Sequence, residues 1–181
     1  CLSELYFKGN RPKSLKSYDN SGRVVYIKSF SKIFMPGLRL AFMVLPDRFL
    51  SEILAAKHAT DISSAGLTQR AFDYYLREGL WKKHLAEMRN LFQKRFHNIK
   101  IAVDKYLPTN IKNPYNPNGG LYLWLELPGY NSEDLYKKSM EKGVAFLPGS
   151  LFLADKENIA GFRLSFAAVN EEKIETGIKN L

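Results

Sequence analysis

The stretch Ser29-Phe-Ser-Lys-Ile-Phe-Met-Pro-Gly-Leu-Arg39 places two hydroxyls, one amine and one guanidinium within eleven residues. Two apolar runs flank it, at 23–28 and 39–45, and their β-branched, aromatic and aliphatic side chains predict strands. Near-continuous apolar strands are typical of a sheet covered on both faces, so they predict an α/β fold. The polar stretch is then a loop between two strands, where α/β folds bind ligands.

The residue types in this loop suit a ligand that carries both a phosphate and an aldehyde. The hydroxyls of Ser29 and Ser31 can donate hydrogen bonds to phosphate oxygens, and the guanidinium of Arg39 adds a charged, bidentate donor. A primary amine can form a Schiff base with an aldehyde, and Lys32 supplies that amine. An ordinary charged surface turn is the alternative interpretation. The Pro-Gly-x-Arg sequence at 36–39, between two apolar strands, favours a site for pyridoxal 5′-phosphate.

The rest of the chain predicts a second, smaller domain of mixed helices and strands. Apolar residues recur at steps of three or four from 81 to 107, which predicts one long helix. Leucines alternate with larger side chains at 121–127, which predicts a strand of an antiparallel sheet buried on one face. We therefore expect three regions: the end of a large domain at 1–66, linking helices at 67–107 and a small α+β domain at 108–181. Further predicted elements are helices at 47–58, 68–79, 132–142 and 171–181 and strands at 144–147 and 162–167.

Composition narrows the class of protein. The chain has 181 residues, of which 45% are hydrophobic and 13% aromatic, which excludes an intrinsically disordered chain. The net charge of +9 comes from 27 basic and 18 acidic residues, but the basic residues form no continuous block. A dispersed excess of this kind is typical of a solvated surface, so we do not expect this chain itself to bind nucleic acid.

Other classes of site find little support in the sequence. One cysteine, Cys1, excludes a disulfide framework, and the three histidines lack metal-ligand spacing, so no metal site is expected. No apolar run reaches the length of a membrane span, and no signal peptide is recognisable, so we expect a cytoplasmic protein without a membrane partner. The first residue is Cys1 rather than Met, in a region already rich in structure, which indicates a piece of a longer protein.

The loop motif resembles that of a known enzyme family. Ser29-x-Ser-Lys32 followed by Pro36-Gly-x-Arg39 resembles the cofactor-lysine motif of the class I and II, fold-type I aminotransferases. The stretches 119–124, 144–152 and 162–167 resemble three later motifs of that family, in the same order. The resemblance implies the C-terminal portion of the aminotransferase fold, namely the end of the large-domain sheet, a linking helix and the small domain. It also implies a homodimer.

Roles for individual residues follow from the same resemblance. Lys32 would bind the aldehyde of pyridoxal phosphate and then shuttle a proton, so it is the predicted catalytic residue. Ser29, Ser31 and Arg39 would hold the cofactor phosphate. Arg163 would bind the α-carboxylate of the substrate; the alternative is an ordinary surface arginine at a strand end.

The chain departs from the family pattern near its first residue. The family uses an aspartate on the pyridine nitrogen and a tyrosine on the cofactor's phenolic oxygen. Counting back from Lys32, the tyrosine position falls at Cys1 or Leu2, and the aspartate position falls before residue 1. We therefore expect the chain alone to be inactive as a transaminase.

Two branches of the family fit the sequence, and they differ in function. The stretches 11–26 and 32–40 look more like the MocR type of GntR transcriptional regulators, in which an aminotransferase-like effector domain follows a DNA-binding winged helix. The stretches 4–7, 146–149 and 162–167 are shared with stand-alone aminotransferases of the aminoadipate and kynurenine type. We favour the regulator, with an amino acid or amine as its effector and with DNA bound only through a separate N-terminal domain. A third hypothesis is a fragment that folds and binds no cofactor.

Overall fold

The computed structural model describes residues 2–154 and 160–181. The chain forms two compact units, Cys1–Glu87 and Met88–Leu181, and each is described by itself. The predicted division at 66 and 107 stays a prediction. The strands are β1 (Tyr26–Ser29), β2 (Ala41–Val44), β3 (Tyr122–Glu126), β4 (Leu147–Pro148) and β5 (Gly161–Ser165), and the helices are α1 (Leu50–Thr60), α2 (Gly66–Arg77), α3 (Leu80–Tyr106), α4 (Ser132–Glu141) and α5 (Glu171–Lys179).

The first unit is built on the pair of strands that flank the polar loop. Strands β1 and β2 pair antiparallel, with Ser29 opposite Ala41 and Tyr26 opposite Val44. Every residue of β2 is exposed, and α1 has no buried residue, so the predicted burial of this sheet on both faces is not met in this chain. The physical reason is that, among the described residues, no further strand joins the two.

Aromatic packing fixes the loop that follows β1. The rings of Phe30 and Phe72 have centroids 4.4 Å apart, and those of Phe34 and Tyr75 are 4.2 Å apart and stacked. Ile33, in the same loop, is buried. Since Phe72 and Tyr75 belong to α2, this cluster holds the loop against that helix.

A buried carboxylate ties the first residues of the chain to β1. Glu4 is 7% exposed, and its Oε1 lies 2.5 Å from Lys28 Nζ and 2.7 Å from an Arg11 guanidinium nitrogen. Two cations on one buried carboxylate compensate its desolvation. The ion pair between Glu4 and Lys28 therefore joins β1, the strand that leads into the polar loop, to the first residues of the chain.

Asp19 organises the turn before β1. Its carboxylate accepts hydrogen bonds from the backbone N–H groups of Arg23 and Val24, at 2.9 and 3.0 Å, and from Lys16 Nζ at 3.0 Å. These bonds favour the charged form and hold the pKa of Asp19 well below its usual range, with the two backbone donors contributing most.

This lowered pKa predicts a specific loss of stability in acid. The carboxylate stabilises the fold above its unfolded pKa, and that contribution is lost as the pH falls below about 5 toward the folded pKa. We expect Asp19→Asn to lower the free energy of unfolding at pH 7 and to weaken its dependence on pH between 7 and 3. Urea unfolding followed by circular dichroism measures both. The exposed Asp104→Asn is the matched control, and an equal pH dependence in wild type and Asp19→Asn would contradict the prediction.

The second unit contains an antiparallel sheet, as the alternating pattern predicts, and its strand order is β3-β5-β4. Leu123 and Leu125 are 0% exposed, and Tyr122, Trp124 and Glu126 lie on the opposite face and are half-buried. The predicted alternation is confirmed. The core side of this sheet comprises Leu121, Leu123, Leu125, Leu127, Phe162, Leu164 and Phe166.

The helices match their predicted positions closely. The predicted helix at 81–107 is α3, and its apolar face buries Leu85, Phe92 and Ile99. The Asn131 side chain caps α4 by accepting from the N–H groups of Glu133 and Asp134. Asn170 precedes α5 but makes no capping bond through its side chain. No helix in the described part of the chain is long and apolar enough to cross a membrane.

Candidate functional site

The polar loop joins the carboxyl end of β1 to the start of β2. Ser29 is the last residue of β1, and the N–H of Phe30 donates to the carbonyl of Leu40 at 3.1 Å, which closes the base of the loop. Because Ser29 lies opposite Ala41, Arg39 is positioned at the same end of the strand pair. The fold thus brings the two ends of the sequence motif together.

The two serines form a compact pair of hydroxyls. Ser29 Oγ donates to Ser31 Oγ at 3.1 Å and accepts from the Ser31 N–H at 3.2 Å. Both side chains are half-buried. Two hydroxyls this close together can both reach oxygens of one phosphate group.

Lys32 and Arg39 are the two cations of the loop. Lys32 lies in a tight turn in which the N–H groups of Ile33 and Phe34 both donate to the Phe30 carbonyl, at 3.2 and 2.9 Å. Both cations are exposed, and within residues 2–154 and 160–181 neither forms an ion pair with a carboxylate. Their charges are therefore available to an anionic ligand.

Arg39 has a strained backbone. Its φ is +53°, and it is the one non-glycine residue with positive φ among those described. Pro36 and Gly37 form the turn that the sequence predicts, but the left-handed residue is Arg39 rather than Gly37. An arginine in this conformation costs roughly 1 kcal/mol, and strain of this kind concentrates at functional sites. The guanidinium also donates to the Pro36 carbonyl at 3.3 Å.

Arg163, the predicted carboxylate-binding residue, lies in the second unit. It is in the middle of β5, paired with Trp124 of β3 and Leu147 of β4. Its guanidinium carbon lies 4.1 Å from the centre of the Tyr122 ring and 5.0 Å from that of Phe152. Among the described residues it has no carboxylate partner, so it differs from a surface arginine that a neighbouring acid neutralises.

Sequence reasoning missed the aromatic surroundings of Arg163. Tyr122 and Trp124 alternate with the buried leucines, which does indicate that they share the second face of β3. The stretch 144–152 resembles a family motif, but neither the periodicity nor the spacing of residues indicates that the Phe152 ring contacts Arg163. The position of Cys1, one of the two counted for the cofactor tyrosine, lies outside the described residues.

The groups present fit pyridoxal phosphate better than a metal ion. The described residues contain no cluster of His, Cys, Asp and Glu side chains that could hold a metal. The loop instead offers two adjacent hydroxyls, an accessible amine and a guanidinium that has no carboxylate partner in the described part of the chain. These are donors for a phosphate and a nucleophile for an aldehyde.

Comparison with known proteins identifies the family. The family described as aminotransferase class I and II matches residues 4–181. The 2-aminoadipate transaminase of Thermus thermophilus is 33% identical over 98% of this chain and 45% of its own length. The uncharacterized HTH-type transcriptional regulator YdfD of Bacillus subtilis is 30% identical over 98% of this chain and 36% of its own length.

A solved structure gives the same result for the fold. The crystal structure of Pyrococcus horikoshii kynurenine aminotransferase in complex with PMP superposes with a TM-score of 0.93 at 34% identity, covering 99% of this chain and 44% of that one. The chain therefore spans less than half the length of the relatives it matches, and its α/β fold is a portion of the fold-type I aminotransferase fold. From the family match over almost its whole length, this chain belongs to the class I and II aminotransferases.

Proposed function

We propose that this chain supplies the lysine-bearing part of a pyridoxal phosphate site. The observation that carries the proposal is the loop after β1, which gathers Ser29, Ser31, Lys32 and Arg39 at one end of a strand pair. Ser29, Ser31 and Arg39 would bind the phosphate. Lys32 would bind the aldehyde carbon through its amine. The PMP complex of the Pyrococcus relative supports this choice of cofactor.

Lys32 and Arg163 would have different roles in the chemistry. Bound pyridoxal phosphate supplies an electron sink that weakens bonds at the α-carbon of an amine. The amino group of Lys32 would hold and move a proton at that carbon. Arg163 would bind the carboxylate of an amino acid, because its guanidinium offers two parallel donors and lacks a carboxylate partner among the described residues.

For the whole protein we propose the effector domain of a MocR-type regulator, which responds to an amino acid or amine. The matched regulator YdfD supports this, as do the stretches 11–26 and 32–40. A stand-alone aminotransferase is the second candidate, and the matched 2-aminoadipate transaminase favours it. A reading frame that encodes a winged helix upstream of this chain would support the regulator; one that adds only a large domain would support the enzyme. A homodimer in the cytoplasm is part of both proposals.

Titration with pyridoxal phosphate tests the cofactor proposal. We expect a saturable visible absorbance band when the cofactor is added to the 181-residue chain or to the full-length protein. A band in the full-length protein alone would mean that the isolated chain is the inert fragment of the third hypothesis. A band in neither would contradict the proposal.

A substitution of Arg39 should change cofactor affinity strongly and protein stability only slightly. We expect Arg39→Gly to weaken pyridoxal phosphate binding by about ten- to hundredfold, since a hydrogen-bonded charge contributes roughly 1.5–3 kcal/mol. The free energy of unfolding should change by less than about 1 kcal/mol, because glycine relieves the left-handed strain but gains chain entropy when unfolded.

Two measurements, an absorbance titration and urea unfolding, check the Arg39 prediction. Arg39→Lys is the matched variant: it keeps a cation and a non-glycine backbone at φ +53°, so affinity should fall less and stability should stay that of wild type. If Arg39→Gly binds pyridoxal phosphate with the affinity of wild type, Arg39 does not bind the cofactor phosphate.

A further inference from the structure

The outer face of the β3-β5-β4 sheet carries an unusual set of side chains. This face is opposite the leucine-rich core side, and it holds Arg163 directly across from Trp124. Tyr122, two residues before Trp124 on the same strand, shares the face because side chains alternate along a strand. Two aromatic residues of β3 thus share this face with Arg163, Trp124 directly across from it and Tyr122 diagonally across.

Arg163 is in contact with two aromatic rings. Its guanidinium carbon is 4.1 Å from the centre of the Tyr122 ring and 5.0 Å from that of Phe152, both within the range of a cation–π interaction. A guanidinium that stacks on an aromatic ring keeps its N–H donors free in its own plane. These rings hold the cation without using the donors that a carboxylate needs.

Phe152 in turn packs against Trp124. The Trp124 ring meets it edge to face, with centroids 5.7 Å apart, and Trp124 Nε1 donates to Glu126 Oε1 at 3.2 Å. The indole lies across Gly161, where an added Cβ would come within 3.0 Å of the indole carbon Cζ2. Because Gly161 has no side chain, the Trp124 indole can lie across it. In that position the indole packs against Phe152.

We propose that Tyr122 and Phe152 are positioning residues that hold the Arg163 guanidinium in one orientation for the carboxylate of a ligand. Trp124, which lies across Gly161, is the support of Phe152. The inference rests on the carboxylate-binding role proposed for Arg163. Its physical basis is preorganisation: an arginine that is already ordered loses less side-chain freedom on binding, so the same two hydrogen bonds give a higher affinity.

The test uses the 181-residue chain and propionate as the carboxylate probe. In an NMR spectrum, the Arg163 Nε–Hε signal should be displaced by the ring currents of its neighbours. Tyr122→Leu and Phe152→Leu should each return this signal toward that of a free arginine and weaken propionate binding about threefold to tenfold. Tyr122→Phe keeps the ring and should retain both properties. The matched control is Tyr130→Leu, which removes an exposed tyrosine of the same unit.

The outcomes separate this inference from the function it rests on. If Arg163→Gln abolishes propionate binding while both leucine variants retain wild-type affinity and an unchanged Arg163 signal, the positioning role is wrong. If Arg163→Gln binds propionate as wild type does, the carboxylate role of Arg163 is wrong, and the Arg163 signal alone decides whether the rings order it. Circular dichroism confirms the fold of each variant, and Phe152→Leu decides the matter if Tyr122→Leu does not fold.

Discussion

Lys32→Arg is expected to abolish the visible absorbance that pyridoxal phosphate produces on binding to the protein. Arginine keeps the positive charge and much of the length of lysine, but its guanidinium does not bind the aldehyde carbon as a primary amine does. The phosphate-binding residues Ser29, Ser31 and Arg39 are unchanged, so some cofactor should still bind without covalent attachment. The predicted phenotype is therefore loss of the absorbance band with partial retention of affinity, measured by absorbance and by equilibrium dialysis.

Lys83→Arg is the matched control for this prediction. The Lys83 side chain is 84% exposed on α3, in the same unit as Lys32, and the same substitution there should leave the band intact. An unchanged band in Lys32→Arg would show that another amine carries the cofactor. Loss of the band in both variants would show that the loss is not specific to Lys32, and it would contradict the assigned role of that residue.

Gly161→Ala should have the largest effect on stability. A Cβ at this position would lie within 3.0 Å of Trp124 Cζ2 and 2.9 Å from its Cε2, in a buried part of the sheet. Overpacking of this kind costs roughly 1–3 kcal/mol. We therefore expect the free energy of unfolding in urea to fall by about that amount.

Two further variants test the cause of that loss. In Trp124→Leu the smaller side chain leaves room for the Cβ, so adding Gly161→Ala should then cost clearly less than in wild type. Gly177→Ala lies inside α5, where no atom of the described residues comes within 4 Å of the added Cβ, and it should instead stabilise the fold by about 0.5–1 kcal/mol. Equal losses from Gly161→Ala in the presence and absence of Trp124 would contradict the steric explanation.

The parts of the fold that follow from local periodicity could be predicted from the sequence. The leucine alternation at 121–127 predicts β3, and the apolar steps from 81 to 107 predict α3, each within a residue or two of its observed ends. The burial of β2 could not be predicted in the same way. Its apolar residues carry the pattern of a covered strand, but whether a strand is covered depends on which other segments are present, and this chain provides no cover among the residues described.

In the candidate site, too, features of neighbouring residues could be predicted from the sequence, whereas contacts that form only in the folded chain could not. The spacing of Ser29, Ser31 and Lys32 predicts their common loop, because they are adjacent in sequence. The left-handed backbone of Arg39 is not predictable from a Pro-Gly pair, which would place the positive φ at the glycine. The rings around Arg163 come together through strand register and a short helical turn at Gly149–Phe152, and neither is visible in residue periodicity.

Chemical trapping of the cofactor on the protein tests directly whether Lys32 is the residue that binds it. The protein is saturated with pyridoxal phosphate and reduced with borohydride, which makes any bond between an amine and the aldehyde permanent, and its peptides are then mapped by mass spectrometry. We expect the phosphopyridoxyl group on the peptide that contains Lys32 and on no other peptide in comparable yield. A label spread over exposed lysines such as Lys83, or one centred on a peptide without Lys32, would contradict this expectation.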